Sequence, residues 1–306
     1  MIEVRGLSKK YGDKVAVRNL SFTVPAGVVT GFLGPNGAGK STTMRMIAGL
    51  DSPSAGSVTV NGREYRRSRA PMAELGILLE ARSVHTSRTA FHHLLALARS
   101  NGIPRRRVDE VIEQVGLRDV ARKRAGKFSL GMGQRLGIAA ALLGDPRTVV
   151  LDEPINGLDP DGIRWVRLLL QDLAARGRTV FLSSHLMSEM ALTAERLIVI
   201  GRGRLIADTT VAEFTSRASD GRVLVRSPQA TEFAAVLAGP GVQVEAVAPG
   251  ELAVRGLSAE RIGALACDHR IVVHQLSLAE VSLEEAFMAL TASAVEYIAE
   301  PVGGAS

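Results

Sequence analysis

At 306 residues the chain exceeds the roughly 100 to 200 residues of one domain, so two domains are expected, and 46% hydrophobic with 22% charged residues excludes a solvated, unfolded chain. Despite a mean hydropathy of +0.15, no uncharged apolar run nears the roughly 18 residues that cross a bilayer; the opening MIEVRGLSKKYGDK lacks the apolar stretch and cleavage site of a secretory signal, so a cytosolic protein is expected. A net charge of +6 and a pI near 9.9 point to an anionic partner, but the clusters Arg63/Arg66/Arg67/Arg69, Arg105/Arg106/Arg107 and Arg122/Lys123/Arg124 have few aromatics nearby to stack on bases; they read first as a solvated face, next as a surface for anionic membrane, with nucleic acid disfavoured.

Residues 2–24 alternate apolar and polar side chains around a YGD turn, the pattern of a strand pair. The apolar run VVTGFL at 28–33 predicts a buried strand, and STTMRMIAGL has helical spacing closed by Gly49. Between them lies GPNGAGKS at 34–41, a full match to GxxxxGKS in the strand-loop-helix setting that its mechanism needs. Gly34, Gly37 and Gly39 let backbone N–H groups curl around phosphates, the helix start adds its positive dipole end, Lys40 adds a full charge, and Ser41 can ligate Mg²⁺.

SVTVNG at 57–62 predicts a further strand, and residues 90–143 carry mainly helical patterns, read as an inserted helical subdomain over about 85–145. Buried strands return at TVVLD (148–152), TVFLSS (179–184) and RLIVIG (196–201), with a helix at 162–175, an alternation that implies a parallel sheet. TVVLDEP delivers two carboxylates at a strand's carboxyl end, where open parallel sheets bind ligands. Because strand neighbours point to opposite sides, Asp152 can face a magnesium shell while Glu153 addresses the water that attacks a γ-phosphate.

After about residue 217 the order becomes βαββαβ, predicting a ferredoxin-like α+β domain over 217–291. Its last helix opens at Ser282 with a capping box, SLEE, and 292–306 read as a loose tail. Cys267, the one cysteine, excludes an intrachain disulfide and, among the apolar neighbours of IGALACDHR, reads as an inert buried side chain.

Taken together, GPNGAGKST, FSLGMGQR, VVLDEP, NGLDP and SSH, in that order over about residues 1–215, resemble the nucleotide-binding subunits of ABC transporters. The likeness is greatest to the drug- and antibiotic-export branch, whose ATPase is a separate chain with a short extra domain. The resemblance implies an α/β fold, a P-loop ABC cassette over 1–216 with β-subdomain, parallel-sheet core and helical subdomain, followed by the small α+β domain.

It further implies a site for ATP and Mg²⁺ built from Gly34, Pro35, Asn36, Gly37, Ala38, Gly39, Lys40, Ser41 and Thr42, with Tyr11 stacked on adenine; the rival reading of Tyr11 is a turn tyrosine packed on the hairpin. Glu153 is then the base, His185 the switch histidine on the γ-phosphate, and Asp152 a metal-shell residue with Ser41. Ser129 and Gly131 contact ATP bound to the other protomer, although Leu130 and Met132 replace the family's second glycine and glutamine. Asp159 bridges the protomers, or else is merely an acid at a helix start. Glu80 falls at the Q-loop glutamine, with a carboxylate in place of the amide, and takes a coupling and magnesium role.

A Mg-dependent ATPase is thereby implied, a homodimer of cassettes held on the cytoplasmic face of the membrane by a separate transmembrane permease and powering export of a drug, antibiotic or related hydrophobic compound. A non-transport ABC ATPase acting on ribosomes or DNA is the alternative; the single uninterrupted cassette argues against it. The lack of an NKxD motif argues against a GTPase.

Overall fold

Strand β1 (Ile2–Tyr11) pairs antiparallel with β2 (Lys14–Val24), from Tyr11 opposite Lys14 to Ile2 opposite Val24. Ile2 and Val4 on one strand and Leu20, Phe22 and Val24 on the other are buried, a period-two pattern with one face packed; a register shift between Val4 and Leu7 brings Leu7 to the same burial. The computed structural model describes residues 1–79, 84–219, 221–279 and 281–291, and the chain divides into two units, Met1–Thr210 and Val211–Leu290. Among the described residues no helix is long and apolar enough to cross a membrane.

In the first unit, β3 (Val29–Leu33) is buried at every position and leads through a glycine loop into α1 (Lys40–Ile47). β4 (Ala55–Val60) then joins β1, closing a three-stranded sheet in the order β2-β1-β4. After α2 (Pro71–Glu74) and β5 (Leu75–Leu78) come the helices α3 (Ala90–Ser100), α4 (Arg105–Gln114) and α5 (Leu130–Leu142). Ala90, Leu94 and Ala98 of α3 are buried at i, i+4 and i+8, and Val108, Val111 and Ile112 of α4 at i, i+3 and i+4, the single apolar stripe of helices that pack on one another. The chain continues through β6 (Thr148–Leu151), α6 (Pro160–Ala175), β7 (Thr179–Ser183), α7 (Met187–Thr193), β8 (Arg196–Gly201) and β9 (Arg204–Thr210).

The central sheet has six strands in the order β5-β6-β7-β3-β8-β9. The first five run parallel, as alternation of strands and helices predicts; β9 is an antiparallel edge strand paired to β8. Its reversal rests on Arg202 and Gly203, both at positive φ (46° and 73°), which match a tight hairpin to the strand twist. Neither β5 nor β9 is predicted from the sequence. Phe22, Phe32 and Phe181 pack with ring centroids 5.0 to 6.0 Å apart, tying β2 to the central sheet.

The second unit begins with α8 (Val211–Ser219), ahead of the expected boundary near 217. β10 (Val223–Arg226), α9 (Ala230–Leu237), β11 (Gln243–Ala248), β12 (Glu251–Arg255), α10 (Ala259–Asp268) and β13 (Gln275–Leu278) follow, then α11 (Leu283–Thr291). The four strands form an antiparallel sheet in the order β11-β12-β10-β13. Val223, Val225, Leu252 and Val254 meet Phe233, Leu237, Ile262 and Ala266 in its core. At α11 the Ser282 N–H donates to Glu285 Oε2 (2.9 Å) and the Glu285 N–H to Ser282 Oγ (3.1 Å), the reciprocal bonds of a capping box. Cys267 corrects its expected burial: it is exposed, because Ile262 and Ala266, four apart on α10, take the inward face and turn their neighbour to solvent.

Candidate nucleotide site

The loop from Gly34 to Gly39 owes its course to close packing. A Cβ at Gly34 would lie 2.5 Å from the Ile200 carbonyl oxygen, and one at Gly39, where φ is 102°, 2.6 Å from that of Ala16; only glycine fits either place. Asn36 and Gly37 are exposed at the tip, and Ala38 is buried with its N–H donated to the Pro35 oxygen (3.1 Å). Lys40 folds back over the loop, its Nζ donating to the oxygens of Gly34 (2.5 Å) and Pro35 (3.2 Å). Burial holds the Lys40 pKa below the usual lysine value, opposed by the negative charge of Glu153 and Asp152. On the first turn of α1, Ser41 is exposed and Thr42 half-buried.

β6 and β7 bring the acids to this loop. Asp152, directly after β6, accepts from Ser41 Oγ (2.8 Å) on one carboxylate oxygen and from Ser183 Oγ on the other. The same Ser183 oxygen accepts from the Glu153 N–H (3.0 Å), while the buried Gln134 of α5 donates Nε2 to the Glu153 carbonyl (2.9 Å). Glu153 sits at φ 51°, a left-handed conformation that is costly for a side chain of this kind, of order 1–3 kcal/mol. Its backbone is held there by Ser183 of β7 and Gln134 of α5. Glu153 Oε2 accepts from the His185 N–H (3.3 Å) and lies 2.8 Å from His185 Nδ1. An ionised carboxylate can only accept, so across this contact Nδ1 is the donor.

The structure therefore links Ser41, Asp152, Ser183, Glu153 and His185 in one line of hydrogen bonds at the carboxyl ends of β6 and β7, beside Lys40. Ser183 and Gln134 are site residues that the sequence reading lacks; a serine inside the apolar run TVFLSS is the signal for the first, and Gln134, although within FSLGMGQR, acts through a tertiary contact. Tyr11 is half-exposed, its OH donating to Asp51 Oδ2 (2.8 Å) while Lys9 Nζ stands 4.8 Å from its ring centroid; Asp51 is held in turn by Arg45 Nε at 2.9 Å.

Ser129 and Gly131 form a second group. Ser129 caps α5, accepting from the Met132 N–H (3.2 Å), and among the described residues neither it nor Gly131 hydrogen-bonds to the phosphate loop. A Cβ on Gly131 would approach the Gly157 oxygen to 2.9 Å, and Leu130 covers Gly157, so the segment packs on NGLDP. Asp159 caps α6 by accepting from the Gly162 N–H (3.0 Å). Glu80 lies outside the described residues.

A glycine loop with its lysine, facing a strand end with two acids, defines a phosphate-loop nucleotide hydrolase. The ABC transporter family matches residues 17–156, and a domain of unknown function matches 221–284. The chain is 41% identical over 211 residues to the bacitracin transport ATP-binding protein BcrA of Bacillus licheniformis, covering 68% of this chain and 69% of that one. It is 41% identical over 212 residues to the Nod factor export ATP-binding protein I of Rhizobium leguminosarum bv. viciae, covering 68% of each. A solved ATP-binding subunit of an ABC transporter superposes with a TM-score of 0.65 at 26% identity, over 71% of this chain and 92% of that one. The chain belongs to the ABC transporter ATP-binding proteins: it is an ATPase subunit of a transporter.

Proposed function

We propose that this chain is the motor of an exporter and that its reaction runs on the hydrogen-bonded line from Ser41 to His185. The observation that carries this reading is Glu153 itself, held at φ 51° with its carboxylate on His185 rather than on Ser41, so that the two acids have separate tasks. Lys40 and the amides of Gly34 to Thr42 hold the phosphates, and Tyr11 stacks on adenine. Ser41 Oγ and Asp152 Oδ2, 2.8 Å apart, are hard oxygen donors that fit Mg²⁺, which when bound neutralises charge on the β- and γ-phosphates. Glu153 takes a proton from the attacking water as its oxygen bonds to the γ-phosphorus and the bond to ADP breaks; His185 holds a γ-phosphate oxygen. Ser129 and Gly131 reach the nucleotide of a second copy, and Asp159 lies where the two copies meet, making a head-to-tail homodimer. Closure follows from tighter binding of ATP to the closed state than to the open one.

Glu80 is assigned coupling to the permease and a share of the magnesium shell on the family resemblance. On the same ground the ferredoxin-like domain that follows the cassette is accessory, and the protein sits on the cytoplasmic face of the membrane, with anionic lipid as a further partner for its basic charge. Relatives named for bacitracin transport and Nod factor export support an antibiotic or related hydrophobic compound as cargo.

The test is Glu153→Gln in the full chain. ATP affinity should stay within about threefold of the parent while turnover falls about 100-fold or more, as expected for loss of a positioned base; near-normal turnover would remove Glu153 from that role.

A further inference from the structure

The run of arginines after β4 does not act as one patch. Arg66 leaves it, donating Nε to the Gly49 oxygen (2.6 Å) and Nη1 to Ser52 Oγ (2.8 Å), where it caps the end of α1. Arg67 pairs with Glu64 at 2.9 Å. Arg63 and Arg69 turn instead into a cavity of about 500 Å³ that Arg147 enters from the loop before β6, with Glu64 and Glu74 also on its wall. Both acids are engaged, Glu74 accepting from Asn61 Nδ2 at 2.7 Å, whereas the guanidinium groups of Arg63, Arg69 and Arg147 have no acceptor among the described residues.

The wall is fixed by backbone. Asn61 and Gly62, at φ 51° and 80°, turn the chain so that Arg63 bridges back to Val60. The Arg147 N–H donates to the Ala73 oxygen (3.0 Å) and the Arg147 oxygen accepts from the Thr179 N–H (3.0 Å). Arg147 directly precedes β6 and Asp152 directly follows it, so extended chain of about 16 Å separates the cavity from the nucleotide acids. The cavity opens at the amino ends of β5 and β6, the edge of the sheet opposite the phosphate loop.

We propose that the cavity bounded by Arg63, Arg67, Arg69 and Arg147 is a second anion site, taking a multivalent phosphate. Four guanidinium groups against two carboxylates leave a positive wall, three of its cations, drawn from two stretches of chain, come without partners, and the volume falls within the roughly 300–1,000 Å³ of ligand pockets. Guanidinium forks bind phosphate oxygens in pairs, and an anion between them relieves their mutual repulsion. The phosphate belongs either to a soluble polyphosphate or to a lipid headgroup.

The test uses the full chain with its phosphate loop saturated by ADP in magnesium-free buffer, titrated calorimetrically with pyrophosphate. In parallel, it is sedimented with phosphatidylcholine vesicles with and without phosphatidic acid, whose phosphomonoester carries more than one charge. Arg63→Gln/Arg147→Gln is compared with Arg99→Gln/Arg261→Gln, which loses the same charge elsewhere on exposed surface; unchanged ADP affinity certifies the fold of both. The site predicts that the first pair weakens pyrophosphate binding about tenfold or more, with the control unchanged, for a soluble ligand. For a lipid headgroup, the same selective loss appears in binding to the anionic vesicles. Equal effects of the two pairs in both arms, or no binding of either probe by the parent chain, would overturn the site.

Discussion

The helix starts of the second unit are built differently from those of α1 and α5 in the first. In the second unit every helix brings its own carboxylate to its first turn: Glu213 in α8, Glu232 in α9, Glu260 in α10, Glu284 and Glu285 in α11. In α11 the acid closes a capping box on Ser282. α1 and α5 carry no acid in their first turns; α1 begins after Gly39 without a side-chain cap, and α5 has only the Ser129 hydroxyl, with Met132 where a capping box would put glutamate. A helix start that neutralises its own N–H groups is finished, while one left uncompensated is a place for an anion. Packing does not separate the two kinds, since α5 and α10 are both firmly buried on one side.

The contrast can be broken most severely at Lys40. Lys40→Ala removes the ammonium that completes the α1 start, and ATP affinity should fall about 100-fold, the scale of a charge-assisted bond of ~3 kcal/mol; equilibrium dialysis with labelled ATP measures it. Met132→Glu sharpens the comparison by finishing α5 in the manner of α11. Thermal unfolding should then show a chain no less stable and up to about 1 kcal/mol more so, yet its ATPase rate should drop about tenfold, because the new carboxylate opposes the partner's γ-phosphate. The smallest effect is expected in the second unit. Ser282→Ala should cost about 1 kcal/mol of stability there, visible as faster amide exchange in α11, with ATP turnover unchanged.

Much of this was legible in the sequence because chemistry and burial coincide there. VVTGFL and TVVL are apolar runs that each become a fully buried strand ending at a reactive segment. β5 escaped because its core is only Leu75–Leu78 and follows a single helical turn. β9 escaped because RLIADTT is an edge strand with little burial, fixed by the turn at Arg202 and Gly203 rather than by its own pattern. The burial of Gln134 against Glu153 and the splitting of the arginine run by Arg66 depend on neighbours distant in sequence, whereas the exposure of Cys267 follows from the phase of its own helix. The roles of Ser129 and Asp159 were read through the family, and within one chain both side chains cap their own helices.

The account rests most directly on a cation-assisted grip on ATP between Lys40, Ser41 and Asp152. Equilibrium binding of ATP to the full chain, with and without magnesium, compared with Asp152→Asn, tests that grip. The prediction is at least about tenfold tighter binding when magnesium is added, an enhancement that the variant loses because one hard oxygen charge is gone. ATP binding of equal strength with and without magnesium in the parent chain would contradict it.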